Sequence, residues 1–122
     1  MIPAYIDATH LVTLLDRTEE GHRSAVFSFR LEMEIAPKLM SSNYDVVKAE
    51  LELQRRHGIR GGCTLLEDVL PFLHIEWCTR SDHDAAVAAF LGQHPGSGAE
   101  PRDLVECVAT QIVRRVGAES MR

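Results

Sequence analysis

Short strand-forming runs, set far apart by helix-patterned sequence, constrain this chain more than any other feature. Ala4-Tyr5-Ile6 and Leu39-Met40-Ser41 read as short buried strands. In Phe72 to Cys78, Leu73, Ile75 and Trp77 alternate with His74 and Glu76, the period of a half-buried strand. Strands separated by helical segments pair in parallel through right-handed crossovers. The expected class is therefore α/β: three layers, with a short central parallel sheet flanked by helices.

The helices are expected as follows. Thr9 is a plausible N-cap for a helix through Leu11, Leu14 and Leu15 to Arg17. After Gly21 a second helix carries Ala25, Phe29, Leu31, Met33 and Ile35, and Pro37 ends it. Ser42 or Asn43 caps a third, to about Arg56, with Val46, Val47, Leu51 and Leu53 as apolar positions and Gly58 as terminator. Gly61-Gly62 reads as a turn, and Cys63 to Leu70 as a short helix closed by Pro71. Ser81 or Asp82 caps a fifth helix through Leu91. Gly92 to Pro101 is a loop, Pro101 to Val116 a last amphipathic helix, and Gly117 to Arg122 a polar tail. Residues 1–122 are expected to form a single domain, with no repeat or linker.

Composition excludes several classes. With 45% apolar and 25% charged residues the chain is neither disordered nor fibrous. A net charge of −5 argues against a uniformly basic polyanion binder. No stretch is apolar for long enough to span a membrane, and the first residues lack the basic and apolar regions of a signal peptide. Cys63, Cys78 and Cys107 form no CxxC pair; they suit a reducing cytoplasm and read as core residues.

The chemistry-bearing candidates are acids. Asp7 ends the first strand, where ligands of parallel sheets collect, and can serve as a first ligand for a hard cation. Asp103 and Glu106 lie three apart at the start of the last helix and can face one side, although acids in a first helical turn are favoured by the helix dipole alone. Glu50 and Glu52 cannot share a helix face. Arg55-Arg56-His57 with Arg60 could meet phosphates or simply be a solvated helix end. The six histidines form no HxH or HxxxH pattern, and the chain has no GxSxG elbow, GxGxxG or P-loop.

Taken in order, Asp7-Ala8-Thr9, His22 with Ala25, Met40-Ser41-Ser42-Asn43-Tyr44, Leu53-Gln54-Arg55-Arg56 before Gly58, and Asp103-Leu104-Val105-Glu106-Cys107 resemble the PIN domain. The resemblance is to the VapC-type toxin ribonucleases of bacterial toxin–antitoxin operons, and it runs from about Pro3 to Gly117. It implies a PIN-like fold and a cleft whose acids hold Mg²⁺ or Mn²⁺ to cut RNA. It also implies a homodimer and an antitoxin-like partner. Mapped residue by residue, the first acid is Asp7. The second falls on Lys48 and the third on Glu106, with Asp103 beside it, while the fourth lies in a segment beyond Arg122. Lys48 is expected to pair with Asp7, with Glu106 as a further partner, in the cation's place; the alternative is an outward Lys48 paired with Glu52. The resemblance thus implies a PIN-like domain with a degraded metal site and weak or no nuclease activity, acting by protein or RNA binding. The alternative is an active Mg²⁺- or Mn²⁺-dependent endoribonuclease using Asp7 and Glu106.

Overall fold

A computed structural model of the chain describes residues 2–35 and 39–121. The element order is β1 (Ala4–Tyr5), α1 (Ala8–Leu15), α2 (His22–Ile35), β2 (Leu39–Ser42), α3 (Asn43–His57), α4 (Ile59–Thr64), β3 (His74–Glu76), α5 (Arg80–Leu91), α6 (Leu104–Val116) and β4 (Glu119–Ser120). All strand pairings are parallel, in the order β3-β2-β1-β4. The α/β class and the parallel sheet are as expected. The tail is not: Glu119 and Ser120 pair with β1, and the Met121 N–H donates to the Tyr5 carbonyl at 2.7 Å. Their side chains are exposed, so the strand leaves no apolar signature.

Alternation along the two central strands divides the core. Ala4, Ile6 and Leu39 face one cluster, with Leu11, Val46, Ala49, Leu53 and Leu65. Tyr5 and Met40 face the other, with Ala86, Cys107, Val108 and Ile112. Successive strand residues point to opposite faces, so α1, α3 and the turn of helix at Leu65–Val69 cover one side and α5 and α6 the other. That is the three-layer arrangement. Buried Ser41 is satisfied within the sheet, its hydroxyl donating to the Ile6 carbonyl at 2.7 Å.

Local chemistry moved several helix ends. Asp7, not Thr9, caps α1, its carboxylate accepting the His10 N–H, and the helix stops at Leu15 rather than Arg17. Of the two candidates for α3, Ser42 is the cap. Thr79 caps α5 instead of Ser81 or Asp82, with Asp82 returning the bond from the third position. α2 leans mainly on α1, so Phe29 is packed against the core while Leu31 and Met33 stay exposed. On α3, Val47 and Leu51 are likewise exposed. The helix end expected at Pro37 lies outside the described residues. Only His74–Glu76 of the third expected strand is paired, and Trp77 is 68% exposed rather than core. Cys107 is buried, but Cys63 is exposed.

Gly61 and Gly62 are helical, not a turn. They let α4 lie directly on α3: a Cβ on Gly61 would sit 2.7 Å from the Leu53 carbonyl oxygen, a contact the backbone cannot relieve cheaply. Gly61→Ala is therefore expected to lower stability by about 1–3 kcal/mol, read as a reduced melting temperature. An unchanged melting temperature would show that the helices can separate freely.

Two arginines tie neighbouring elements together. Arg56 donates to Asp16 at 2.8 Å, Glu19 at 2.6 Å and Glu52 at 2.7 Å, while the cluster it belongs to, with Arg55, His57 and Arg60, is an exposed helix end as expected. Arg115 joins Asp82 at 2.9 Å and Glu76 at 2.8 Å. Hydrogen bonds from Thr18 and Arg56 hold the Asp16 carboxyl well below its usual range. Burial opposes ionisation of Asp82, but Arg115 and Thr79 outweigh it, and Arg115 and His74 likewise lower Glu76. Carboxyls depressed on folding stabilise above their unfolded pKa, and that contribution is lost as pH falls from there through the folded pKa. The loss of these carboxyl contributions should therefore lower the melting temperature below about pH 4. A melting temperature that held steady to about pH 2 would contradict this account.

Candidate functional site

In the order β3-β2-β1-β4 the connections run one way from β1 through β2 and β3, then return to its other side. Parallel sheets bind ligands outside the carboxyl ends of their strands at such a reversal. A cleft of about 340 Å³ lies there, at the small end of the roughly 300–1,000 Å³ of ligand pockets. Its lining includes Asp7, Asp45, Lys48, Arg102, Glu106 and Arg114. Asp7 and Glu106, predicted from sequence, are thus brought together, with Lys48 beside them.

Each acid is already engaged. Asp7 Oδ1 accepts the His10 N–H at 2.9 Å and lies 2.7 Å from His10 Nδ1. Burial raises the Asp7 pKa, but the His10 bonds and the Lys48 charge together hold it below the usual range, while the Asp7 bond raises His10. Asp103 and Glu106 form a capping box: Asp103 accepts the Glu106 N–H at 2.8 Å, and Glu106 reaches back to the Asp103 N–H. The first-turn reading of these acids is therefore realised.

Lys48 corrects both expectations for it. Its ammonium pairs with Asp103 Oδ2, joining α3 to α6, rather than with Asp7 or with Glu52. Asp103, Glu106 and Asp45 raise its pKa against the effect of burial, so it stays charged. Both partners are more than a third exposed, with side-chain values of 38% and 46%. Such pairs contribute about 0–1 kcal/mol. The consequence of the pair is where it leaves a positive charge.

Sequence reading missed Asp45, Arg102 and Arg114. Asp45 is 2% exposed and accepts from the Tyr5 hydroxyl and, at 2.9 Å, from the Ala8 N–H. Burial pushes its pKa up, partly offset by these bonds. The spacing Ser42-x-x-Asp45 is a readable capping signature; its diversion to β1 and α1 is not. Arg102 is placed by Gln93, which bonds its backbone N–H at 2.7 Å and its carbonyl at 2.9 Å across the loop. Its guanidinium donates to the Glu106 carbonyl at 3.0 Å and to Thr110 Oγ1.

This donor set does not fit a divalent ion. Mg²⁺ or Mn²⁺ needs converging oxygens with free lone pairs. Here Asp45 is consumed by Tyr5 and Ala8, Asp103 by Lys48, and one oxygen of Asp7 by His10. Among the described residues, no three His, Cys, Asp or Glu side chains are grouped to hold a metal.

A four-strand parallel sheet in this order, with helices on both faces, is a fold this chain shares with a solved VapC toxin. Among solved structures, the chain is similar to VapC20 of Mycobacterium tuberculosis, a sarcin-ricin loop cleaving toxin. The TM-score is 0.75 at 18% identity, over 94% of this chain and 84% of that one. No family model matches the sequence, and no curated protein does. No helix of the described residues is long and apolar enough to cross a membrane.

Proposed function

We propose that this chain is a PIN-fold module of the VapC toxin type that acts in the cytoplasm by binding a partner, not by divalent-ion cleavage of RNA. The supporting observation is the Lys48 ammonium, which lines the cleft with Asp7 and Glu106 and is paired to Asp103. A cation fixed there repels a second one: unit charges 4 Å apart interact by about 4 kcal/mol at an effective dielectric of 20. The partner is RNA or an antitoxin-like protein, and the chain self-associates as a homodimer. Exposed Phe27 and Leu31 on α2, and Val47 and Leu51 on α3, supply apolar surface for protein contacts.

The competing reading is an Mg²⁺- or Mn²⁺-dependent endoribonuclease using Asp7 and Glu106. It draws on the shared cleft of these acids and on Asp7 Oδ2, which accepts no hydrogen bond among the described residues. Incubation of labelled single-stranded RNA with either metal decides between them, with Asp7→Ala as control. No metal-dependent product is expected. Cutting by the parent chain that disappears in Asp7→Ala would establish the nuclease.

A further inference from the structure

We propose that Lys48 is the resident cation of this cleft, so that a backbone phosphate of single-stranded RNA is received there without any divalent ion. This rests on the binding reading above and names the ligand of that same site.

Three cationic side chains from different elements line the cleft: Lys48 on α3, Arg102 before α6, and Arg114 near the end of α6. Each retains donors. An ammonium has three, and Asp103 is the only hydrogen-bond partner of Lys48 among the described residues. A guanidinium has five, and the bonds Arg102 makes to Glu106 and Thr110 both come from Nη2, leaving Nε and Nη1. Arg114 is exposed and makes no ion pair among the described residues. Thr9, Thr110 and Ser120 add hydroxyls to the same lining.

The acids that would repel a phosphate are largely spoken for. Asp7 is turned toward His10 and lies in the field of Lys48. Asp45 is buried beneath Tyr5 and Ala8. Glu106 is the remaining exposed acid of the lining, and the charge of Lys48 acts on it directly. The cleft thus presents separated cationic donors with hydroxyls between them, a pattern that suits a chain of phosphates more than a single carboxylate. With −5 overall charge, binding is confined to this local patch.

The test is fluorescence anisotropy of a labelled single-stranded RNA titrated with the full chain, in EDTA and in MnCl₂. Affinity is expected to agree within about twofold between the two conditions, because no bridging metal is required. Lys48→Ala should weaken binding about tenfold and lower the salt dependence by about one phosphate's worth, whereas Arg80→Ala, outside the cleft, should bind as the parent does. Lys48→Gln, which removes the charge but keeps most of the aliphatic stem, provides the same reading if Lys48→Ala fails to fold, as checked by its melting curve. RNA binding only with Mn²⁺, unchanged affinity in both Lys48 variants, or no RNA binding would each overturn the inference. So would binding of an acidic peptide in preference to RNA. Failure here without metal-dependent cutting leaves the binding reading standing, whereas such cutting removes it.

Discussion

Lys48→Glu is expected to bind a divalent ion more tightly than the parent chain. The substitution removes the ammonium, releases Asp103 from its pair, and puts a carboxylate in a cleft already lined by Asp7 and Glu106. Converging carboxylates with water completing the shell are what a hard cation requires. Without metal the variant should be less stable than the parent, because like charges now crowd one wall. With metal it should recover: a ligand at a hundred times its Kd stabilises by about 2.7 kcal/mol. For a chain of this size that is roughly 10 °C in melting temperature. Thermal melts against MnCl₂ concentration, with calorimetry for stoichiometry, read this directly. Equal responses of parent and variant to Mn²⁺ would mean that Lys48 does not govern cation binding.

The second large effect is at the floor of the cleft. Asp45→Ala removes the acceptor of both the Tyr5 hydroxyl and the Ala8 N–H, in a place that water does not reach. Each buried donor left unpaired costs about 1–3 kcal/mol. A loss of roughly 2–5 kcal/mol is therefore expected, seen as a lower denaturation midpoint. Asp45→Asn, which retains one acceptor oxygen, should lose less. The pH dependence carries a further sign. Because burial raises the Asp45 pKa, its own contribution favours folding below the unfolded value near pH 4 and fades as pH rises through the folded one. Asp45→Asn is thus expected to cost most in acid and least at neutral pH. The reverse ordering would show that the carboxylate is stabilised, not strained, by its burial.

The same residues show what can be read in advance. Asp7 was legible because its position follows from one short apolar run. Glu106 and Asp103 were legible as a pair because three residues on a helix are local geometry. Lys48 was legible as a departure from a familiar order of residues, but its partner was not: Asp103 lies 55 positions away, and only the packing of α3 beside α6 brings the two together. Asp45, Arg102 and Arg114 carry no distinctive local pattern that assigns them to a cleft. The glycine pair reads as a turn because glycine intrinsically favours turns over helix interiors, and only the close approach of α4 to the Leu53 carbonyl, a tertiary contact, overrides that preference.

Periodicities of two and of about three and a half residues, written in the order of apolar side chains, were enough to dictate an α/β chain with parallel strands. Those periods express which side chains leave water, a property each segment carries alone. The partner of each charge, the diversion of a capping acid onto a neighbouring strand, and the pairing of a polar tail with β1 were decided only by tertiary structure. They depend on distances between segments remote in sequence, and electrostatic and hydrogen-bond energies are set by those distances rather than by residue type.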